Sequence, residues 1–465
     1  MLPACLILLC LLSLALSHTA SEWASRTIYQ VLTDRMARPD GDTSGCPNLS
    51  NYCGGGWAGI TNNLGYIQNM GFDAIWVSPV VTNTPNGYHG YWAQNFFTLN
   101  SNFGSEQDFI NLVSALHSRG MWIMLDVVAN HAGPTVDTNL DNTNVISPFN
   151  QSSYYHPFCN IDWNNQYSIE NCWLASLPDL NQTVPYVGQT LLSWISWIVT
   201  TYSIDGLRID TCMEVPTWFW SQFAKASGVY TVCEVDNPSI STNAGYQGIV
   251  DGTLNYPLFY LIRDLFQQGQ SMYNARSFMQ QASAAFSNLN YLGNFVDNHD
   301  NPRFLYQYNM INRFQNAIAW SMTWPGIGIL YYGDEQAYAG GNDPYNREIL
   351  WPNLGNTGSQ MYTFVTKVVQ YRKANQVWNY PWVERYADDN FYCYTRGMAM
   401  MAFSNTNNNL QYNVTYHPYQ VGQVLCNIFY STDCVTVLST GVPVYLNQGE
   451  TKLYQLQSKE TPTEI

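Results

Sequence analysis

Three short apolar runs each end in an acid and follow one another along the chain: Asp205-Gly206-Leu207-Arg208-Ile209-Asp210, Thr231-Val232-Cys233-Glu234-Val235 and Gly293-Asn294-Phe295-Val296-Asp297-Asn298-His299-Asp300. Side chains alternate along an extended strand, so Arg208 and Asp210 project to one face. A guanidinium so close is expected to keep the carboxylate ionised and lower its pKa, as a carboxylate nucleophile requires. Glu234 lies between Cys233 and Val235, apolar neighbours that raise a carboxyl pKa and suit a proton donor. A salt bridge at a strand end would explain the first run by itself. It does not explain acids on all three, and Asp210, Glu234 and Asp300 together form a set able to cleave a glycosidic bond through an oxocarbenium-like transition state. Asp300 would bind sugar hydroxyls, with His299 beside it as a hydrogen-bond donor.

Convergence of these acids needs strands that deliver their C-terminal ends to one place. Apolar strands are expected at 28–32, 74–77, 122–127, 206–209, 230–232, 248–250, 292–296 and 329–331, with amphipathic helical segments such as 106–119 and 191–202 between them. This alternation predicts an α/β chain folded as a (β/α)8 TIM barrel, whose catalytic groups sit at the C-terminal strand ends. The barrel is expected over 21–130 and 180–382. A stretch rich in Asn, Ser, Pro and Tyr at 131–179 is too long for a structureless loop and is read as an inserted subdomain. Residues 383–456 alternate with the period of short antiparallel strands and are expected to form a C-terminal β-sandwich, followed by a flexible tail at 457–465.

Charged residues make up only 11% of the chain and the net charge is −15, which argues against nucleic acid and anionic membranes as partners. Residues 2–16 form an apolar run broken only by Ser13, long enough for a signal sequence and too short to span a bilayer. A signal peptide is expected over 1–20, with cleavage after Ser17 or Ala20, and the mature chain is expected to be secreted and monomeric. Cys5 and Cys10 fall within it. Close spacing pairs Cys46 with Cys53, Cys159 with Cys172 and Cys426 with Cys434, leaving Cys212, Cys233 and Cys393. Cys212 and Cys233 end adjacent strands and have the option of pairing. Free thiols are expected, because a bridge there would constrain the residues flanking two catalytic acids. Sequons stand at Asn48, Asn150, Asn181 and Asn413.

Asp126-Val127-Val128-Ala129-Asn130-His131, Gly206 to Asp210, Glu234 and Asn298-His299-Asp300 resemble the four sequence regions of glycoside hydrolase family 13. Ser176-Leu177-Pro178-Asp179-Leu180 lies between the first two, and the chain is most similar to secreted fungal-type, Taka-amylase-like α-amylases. The resemblance implies a calcium-dependent endo-hydrolase that cleaves internal α-1,4-glucosidic bonds of starch and maltooligosaccharides with retention of configuration. By matching position, Asp210 is the nucleophile, Glu234 the acid/base and Asp300 the third carboxylate. His89, Tyr91, Trp92, His131, Arg208, His299, Asp343 and Arg347 match substrate-contacting positions. Asn130, Glu170, Asp179 and the carbonyl of Glu214 match Ca2+ ligands, oxygen donors suited to that ion. The chain departs from the pattern at Cys233, where the family usually has glycine, and at Met213 and Glu214, where lysine and histidine are common. It also has Thr84-Pro85-Asn86 before Tyr88 and lacks a disulfide usual near the sixth and seventh strands.

The altered cleft edge leaves room for a maltogenic or transglycosylating enzyme. A catalytically inactive glucan-binding protein is the reading from another class, and the intact acids Asp210, Glu234 and Asp300 argue against it.

Overall fold

The computed structural model describes residues 18–457, so the apolar run 2–16 and the tail beyond Gln457 lie outside the described residues. Eight strands pair in parallel: β1 (Thr27–Val31), β2 (Ala74–Val77), β3 (Trp122–Val127), β4 (Gly206–Ile209), β5 (Tyr230–Cys233), β6 (Gly252–Thr253), β7 (Gly293–Asn294) and β8 (Ile327–Tyr331). β1 pairs with both β2 and β8, and a parallel bridge from Leu254 to Gly293 joins the β6 and β7 sides, closing the ring. The strands are buried throughout. Both faces are covered, which is why they read as continuous apolar runs.

The sixth strand is displaced from its expected place at 248–250. That segment folds into a local turn in which Gly248 has φ +106°, and pairing resumes only at Gly252–Thr253. A Cβ on Gly252 would lie 1.9 Å from the Tyr291 carbonyl oxygen, so only glycine admits the chain at this point.

Aspartates fasten the opposite, N-terminal end of the barrel. Asp73, just before β2, accepts the Thr27 N–H of β1 at 2.8 Å. Asp205, before β4, accepts the Ile123 N–H of β3 at 2.8 Å, and Asp251, before β6, accepts the Thr231 N–H of β5 at 2.8 Å. Each satisfies a strand-terminal donor that would otherwise be left without a partner.

Between β3 and the long helix Pro185–Tyr202, the chain forms 3-10 turns and one short helix, Gln166–Asn171. The Cys159–Cys172 disulfide staples it, and a bridge between His131 and Asp179 ties its two ends together against the barrel. After Trp382 a six-stranded antiparallel sheet faces a two-stranded one. Phe391, Met400, Val442, Val444 and Tyr454 belong to the core they share.

The pairs Cys46–Cys53, Cys159–Cys172 and Cys426–Cys434 are present. The expectation of free thiols at Cys212 and Cys233 is overturned, because these two form a further disulfide with Cα atoms 5.9 Å apart. Cys233 pairs in register with Ile209, which places it directly beside the turn that carries Cys212. Cys393 is the one free cysteine among the described residues and is buried. Asn48, Asn150 and Asn413 are exposed and Asn181 is half-buried. Thr19 caps a short helix, Ala20–Trp23, with its side chain. Cleavage after Ser17 keeps that cap, whereas cleavage after Ala20 removes it.

Candidate active site

A cleft of about 570 Å3 opens at the C-terminal ends of the strands. Its walls include His89, Tyr91, Trp92, His131, Asp210, Glu234, His299, Asp300, Asp343 and Arg347. Every expected catalytic and substrate-contacting residue is therefore at this cleft except Arg208, which lies beneath it. Arg208 is 1% exposed. Its Nη1 donates to Asp126 Oδ1 at 2.9 Å and to Asp210 Oδ1 at 2.6 Å, while Nη2 lies 2.9 Å from Glu234 Oε2. One guanidinium thus holds carboxyls from three neighbouring strands, using the several fixed donors of its planar fork.

Asp126 has no place among the sequence-derived site residues, although it too ends an apolar strand in an acid. It is fully enclosed: Trp76 Nε1 donates to it at 3.0 Å and the Tyr91 hydroxyl at 2.7 Å. Burial pushes its pKa up to about 6, against the pull of Arg208. Asp210 corrects the sequence expectation of a lowered pKa. Burial raises it well above the usual carboxylate range, Arg208 opposes this, and the charges of Glu234, Asp126 and Asp300 add to the rise. A single cation among so many buried acids only partly offsets the cost of burying Asp126 and Asp210.

Glu234 makes two further contacts. The Thr211 N–H donates to its Oε2 at 3.1 Å, and the Tyr256 hydroxyl to its Oε1 at 3.2 Å. Tyr256, which the sequence reading missed, in turn accepts from Asn298 Nδ2 at 3.0 Å. The Asp300 side chain is 40% exposed to the cleft, with Arg347 Nη2 3.5 Å away. Arg347 Nη1 lies 3.0 Å from Asp343 Oδ1.

Burial lowers the pKa of each cleft histidine, well below the ordinary value for His89 and His299 and to about 4 for His131. All three are neutral, and their partners fix the tautomers. His89 Nδ1 accepts the Tyr91 N–H at 3.1 Å, leaving Nε2–H free to donate. His299 Nδ1 accepts from Gln30 Nε2 at 3.0 Å, and its Nε2 lies 3.2 Å from Asp300 Oδ2. Tyr91 stacks on His299 with ring centroids 5.1 Å apart.

His131 Nε2 donates to the Tyr91 carbonyl at 3.2 Å. Being neutral, it must therefore accept at Nδ1, where Asn130 Nδ2 stands at 3.2 Å. That orientation turns the Asn130 amide oxygen toward Asp179 Oδ1 at 2.9 Å and the Glu214 carbonyl at 3.1 Å. Reversing the amide would require a doubly protonated His131, which its burial disfavours. In that orientation oxygens of three residues converge, a donor set that fits a hard cation. Glu170 is the exception among the expected ligands: its carboxylate accepts from Gln166 Nε2 at 2.8 Å, and the same nitrogen donates to the Met213 carbonyl at 3.0 Å. It sits on the Gln166–Asn171 helix, which Gln166 links to the turn that carries Met213 and Glu214.

The inserted segment adds an apolar rim. Trp163, 58% exposed, joins Leu174, Ala175, Leu177 and Met213 along one side of the cleft. The lip turns sharply, with Ala175 at φ +50° and Ser176 at φ +62°. No periodicity marks Trp163 in the sequence, because it sits on irregular chain.

The alpha amylase catalytic domain family matches residues 30–378. The chain is 42% identical over 371 residues to alpha-amylase 1 of Lipomyces kononenkoae, a match that covers 76% of this chain and 59% of that protein's length. It is 35% identical over 457 residues to the alpha-amylase of Saccharomycopsis fibuligera, covering 94% of this chain and 92% of that one. The solved structure of an alpha-amylase from Malbranchea cinnamomea superposes with a TM-score of 0.90 at 35% identity, covering 94% of this chain and 98% of that one.

Proposed function

The chain belongs to the α-amylase family, matching its catalytic domain over residues 30–378, and on that premise we propose that it is a secreted, endo-acting hydrolase of internal α-1,4-glucosidic bonds in starch and related glucans. The observation that carries this reading is Arg208 holding Asp210 and Glu234 on its two terminal nitrogens, at 2.6 and 2.9 Å, beneath an open cleft. Carboxyls kept that close favour a retaining over an inverting mechanism, which needs room for a water between them.

In the first step Glu234 delivers its proton to the glycosidic oxygen. The bond to the leaving sugar breaks, and Asp210 closes on the anomeric carbon to form a covalent ester. In the second step Glu234 takes a proton from water, whose oxygen attacks the same carbon and releases Asp210. Asp300 accepts hydrogen bonds from sugar hydroxyls and is steadied by Arg347. His89 and His299 act as neutral donors, and Tyr91 and Trp92 offer flat faces to the ring.

A calcium ion would be held by Asn130, Asp179 and the Glu214 carbonyl, with Glu170 beside them. Its contribution is structural, joining the inserted segment to the barrel next to the turn that follows Asp210. Disulfides and an apolar leader support secretion, with cleavage after Ser17 preserving the Thr19 cap.

A time course of products from maltoheptaose and starch, with the anomer followed by NMR, tests the proposal. Early α-anomeric fragments of mixed length are expected. First-formed β-anomers would exclude retention, products longer than the substrate would identify a transglycosylase, and no release of reducing ends would leave a glucan-binding protein.

A further inference from the structure

The disulfide that overturns the free-thiol expectation sits at the chemistry. Cys233 directly precedes Glu234, and Cys212 follows Asp210 with only Thr211 between. Both sulfur-bearing residues are fully buried, and neither lines the cleft. Around the bridge, Glu234 N–H donates to the Ile209 carbonyl at 2.8 Å, and Cys212 N–H donates to the Glu234 carbonyl at 3.0 Å. These bonds fix the backbone of Glu234, while its carboxyl group is held by Arg208 at 2.9 Å and the Tyr256 hydroxyl at 3.2 Å. The Thr211 N–H, at 3.1 Å from Oε2, is the one backbone donor among these restraints and comes from the turn that follows Asp210.

That contact depends on an unfavourable conformation. Thr211 has φ +51° and ψ +52°, the left-handed region that β-branched residues avoid. Its hydroxyl gains nothing in return, since Thr211 Oγ1 is buried without a partner. Something else must hold the turn, and the Cys212–Cys233 bridge joins the residue just after it to the strand that carries Glu234. Trp220 Nε1, donating to the Cys212 carbonyl at 2.9 Å, secures the far side.

We propose that the Cys212–Cys233 disulfide is a positioning element for Glu234: it keeps Thr211 turned so that its N–H bears on the carboxyl group. The inference rests on the assignment of Glu234 as the acid/base. Because neither sulfur reaches the cleft, opening the bridge is expected to act first on the chemical step.

The test compares wild type with Cys212→Ser/Cys233→Ser. Cys212→Ala/Cys233→Ala serves as a second variant in case buried hydroxyls prevent folding, and Cys426→Ser/Cys434→Ser removes a remote bridge as a control. All are assayed in calcium, well below their melting temperatures. Wild-type starch hydrolysis is established first; its absence would defeat the reading of the site itself rather than the role of the bridge. Unreduced, denatured wild type should titrate a single thiol, and a titre of three would overturn the proposal. Opening the bridge is expected to lower kcat by about tenfold, as small misplacements of catalytic groups do, with KM within twofold of wild type. The control should keep its kcat. An unchanged kcat overturns the proposal. So does a rise in KM matching the fall in kcat, or an equal loss in the control, since either would make the bridge merely structural.

Discussion

The backbone N–H of Thr211 meets Glu234 Oε2 at 3.1 Å, so the turn that follows Asp210 is hydrogen-bonded to the carboxyl group on the next strand. Glutamine at position 234 would keep an oxygen for that donor but have no transferable proton. Glu234→Gln is expected to lose about two to four orders of magnitude in starch hydrolysis while retaining its melting temperature and its binding of maltotetraose. Near-normal turnover would remove Glu234 from the acid/base role.

Calcium removal should destabilise the protein. A ligand bound only by the native state stabilises it by mass action, and Asn130, Asp179 and the Glu214 carbonyl would lose their common partner with the ion. Excess chelator is expected to lower the melting temperature and abolish activity, and Asp179→Ala should melt at the chelated value whether or not chelator is present. A variant that still responds to chelator would place the ion elsewhere.

His89 gives stability a defined pH dependence. Its folded pKa is depressed, first by burial and then by Arg347, His299 and Arg35, so below about pH 6.5 the unfolded chain takes up the proton first. Its contribution is therefore present above that pH and is lost as pH falls, by up to about 1.4 kcal/mol per pH unit. In His89→Asn the amide oxygen replaces Nδ1 as acceptor for the Tyr91 N–H. Denaturant unfolding at pH 5, 6 and 7 in excess calcium should show the gap between wild type and variant widening with pH. A constant gap would contradict the assignment.

Acceptor-side binding should depend on the apolar rim. Trp163→Ala is expected to raise KM for long glucans roughly two- to tenfold, the scale of one aromatic contact, with little effect on maltotriose. Met213→Lys adds a donor where a leaving or acceptor sugar would lie and should shift the cleavage positions on maltopentaose. Glu214 is left intact because its side chain is buried and its carbonyl faces Asn130. Identical product ladders from both variants would take these positions out of the acceptor subsites.

Much of this was legible in the chain. Buried parallel strands read as apolar runs, so Asp210 and Glu234 stand out as acids at strand ends, while Asp300 lies on the loop beyond the short strand Gly293–Asn294. The same rule applied to Asp126 would have shown the other carboxyl on Arg208. A strand as short as Gly252–Thr253 has no period to detect, and what locates it is the close passage of Tyr291. Trp163 and the lip at Ala175 lie on irregular backbone, where side-chain direction follows from tertiary contacts. The Cys212–Cys233 bridge was visible as an option. Constraint next to Asp210 and Glu234 argues against that option in the sequence, whereas the left-handed Thr211 is a conformation that needs holding. For Asp210, adjacency to Arg208 predicted the sign of one influence; the burial that outweighs it is a property of the folded barrel.

The aspartates beneath the barrel give the molecule two independent ends. Asp205 and Asp210 bracket the same strand, yet the first ties Ile123 in place while the second faces the cleft. Charge at the floor acts as mortar between staves, and charge at the mouth is left under-neutralised as working material. Replacing an acid at the mouth is expected to cost activity before stability, because the repulsion relieved among the other acids offsets the partner lost by Arg208. An equal change at Asp73, Asp205 or Asp251 strands a backbone donor, and the vessel leaks from below while its catalytic groups remain unchanged.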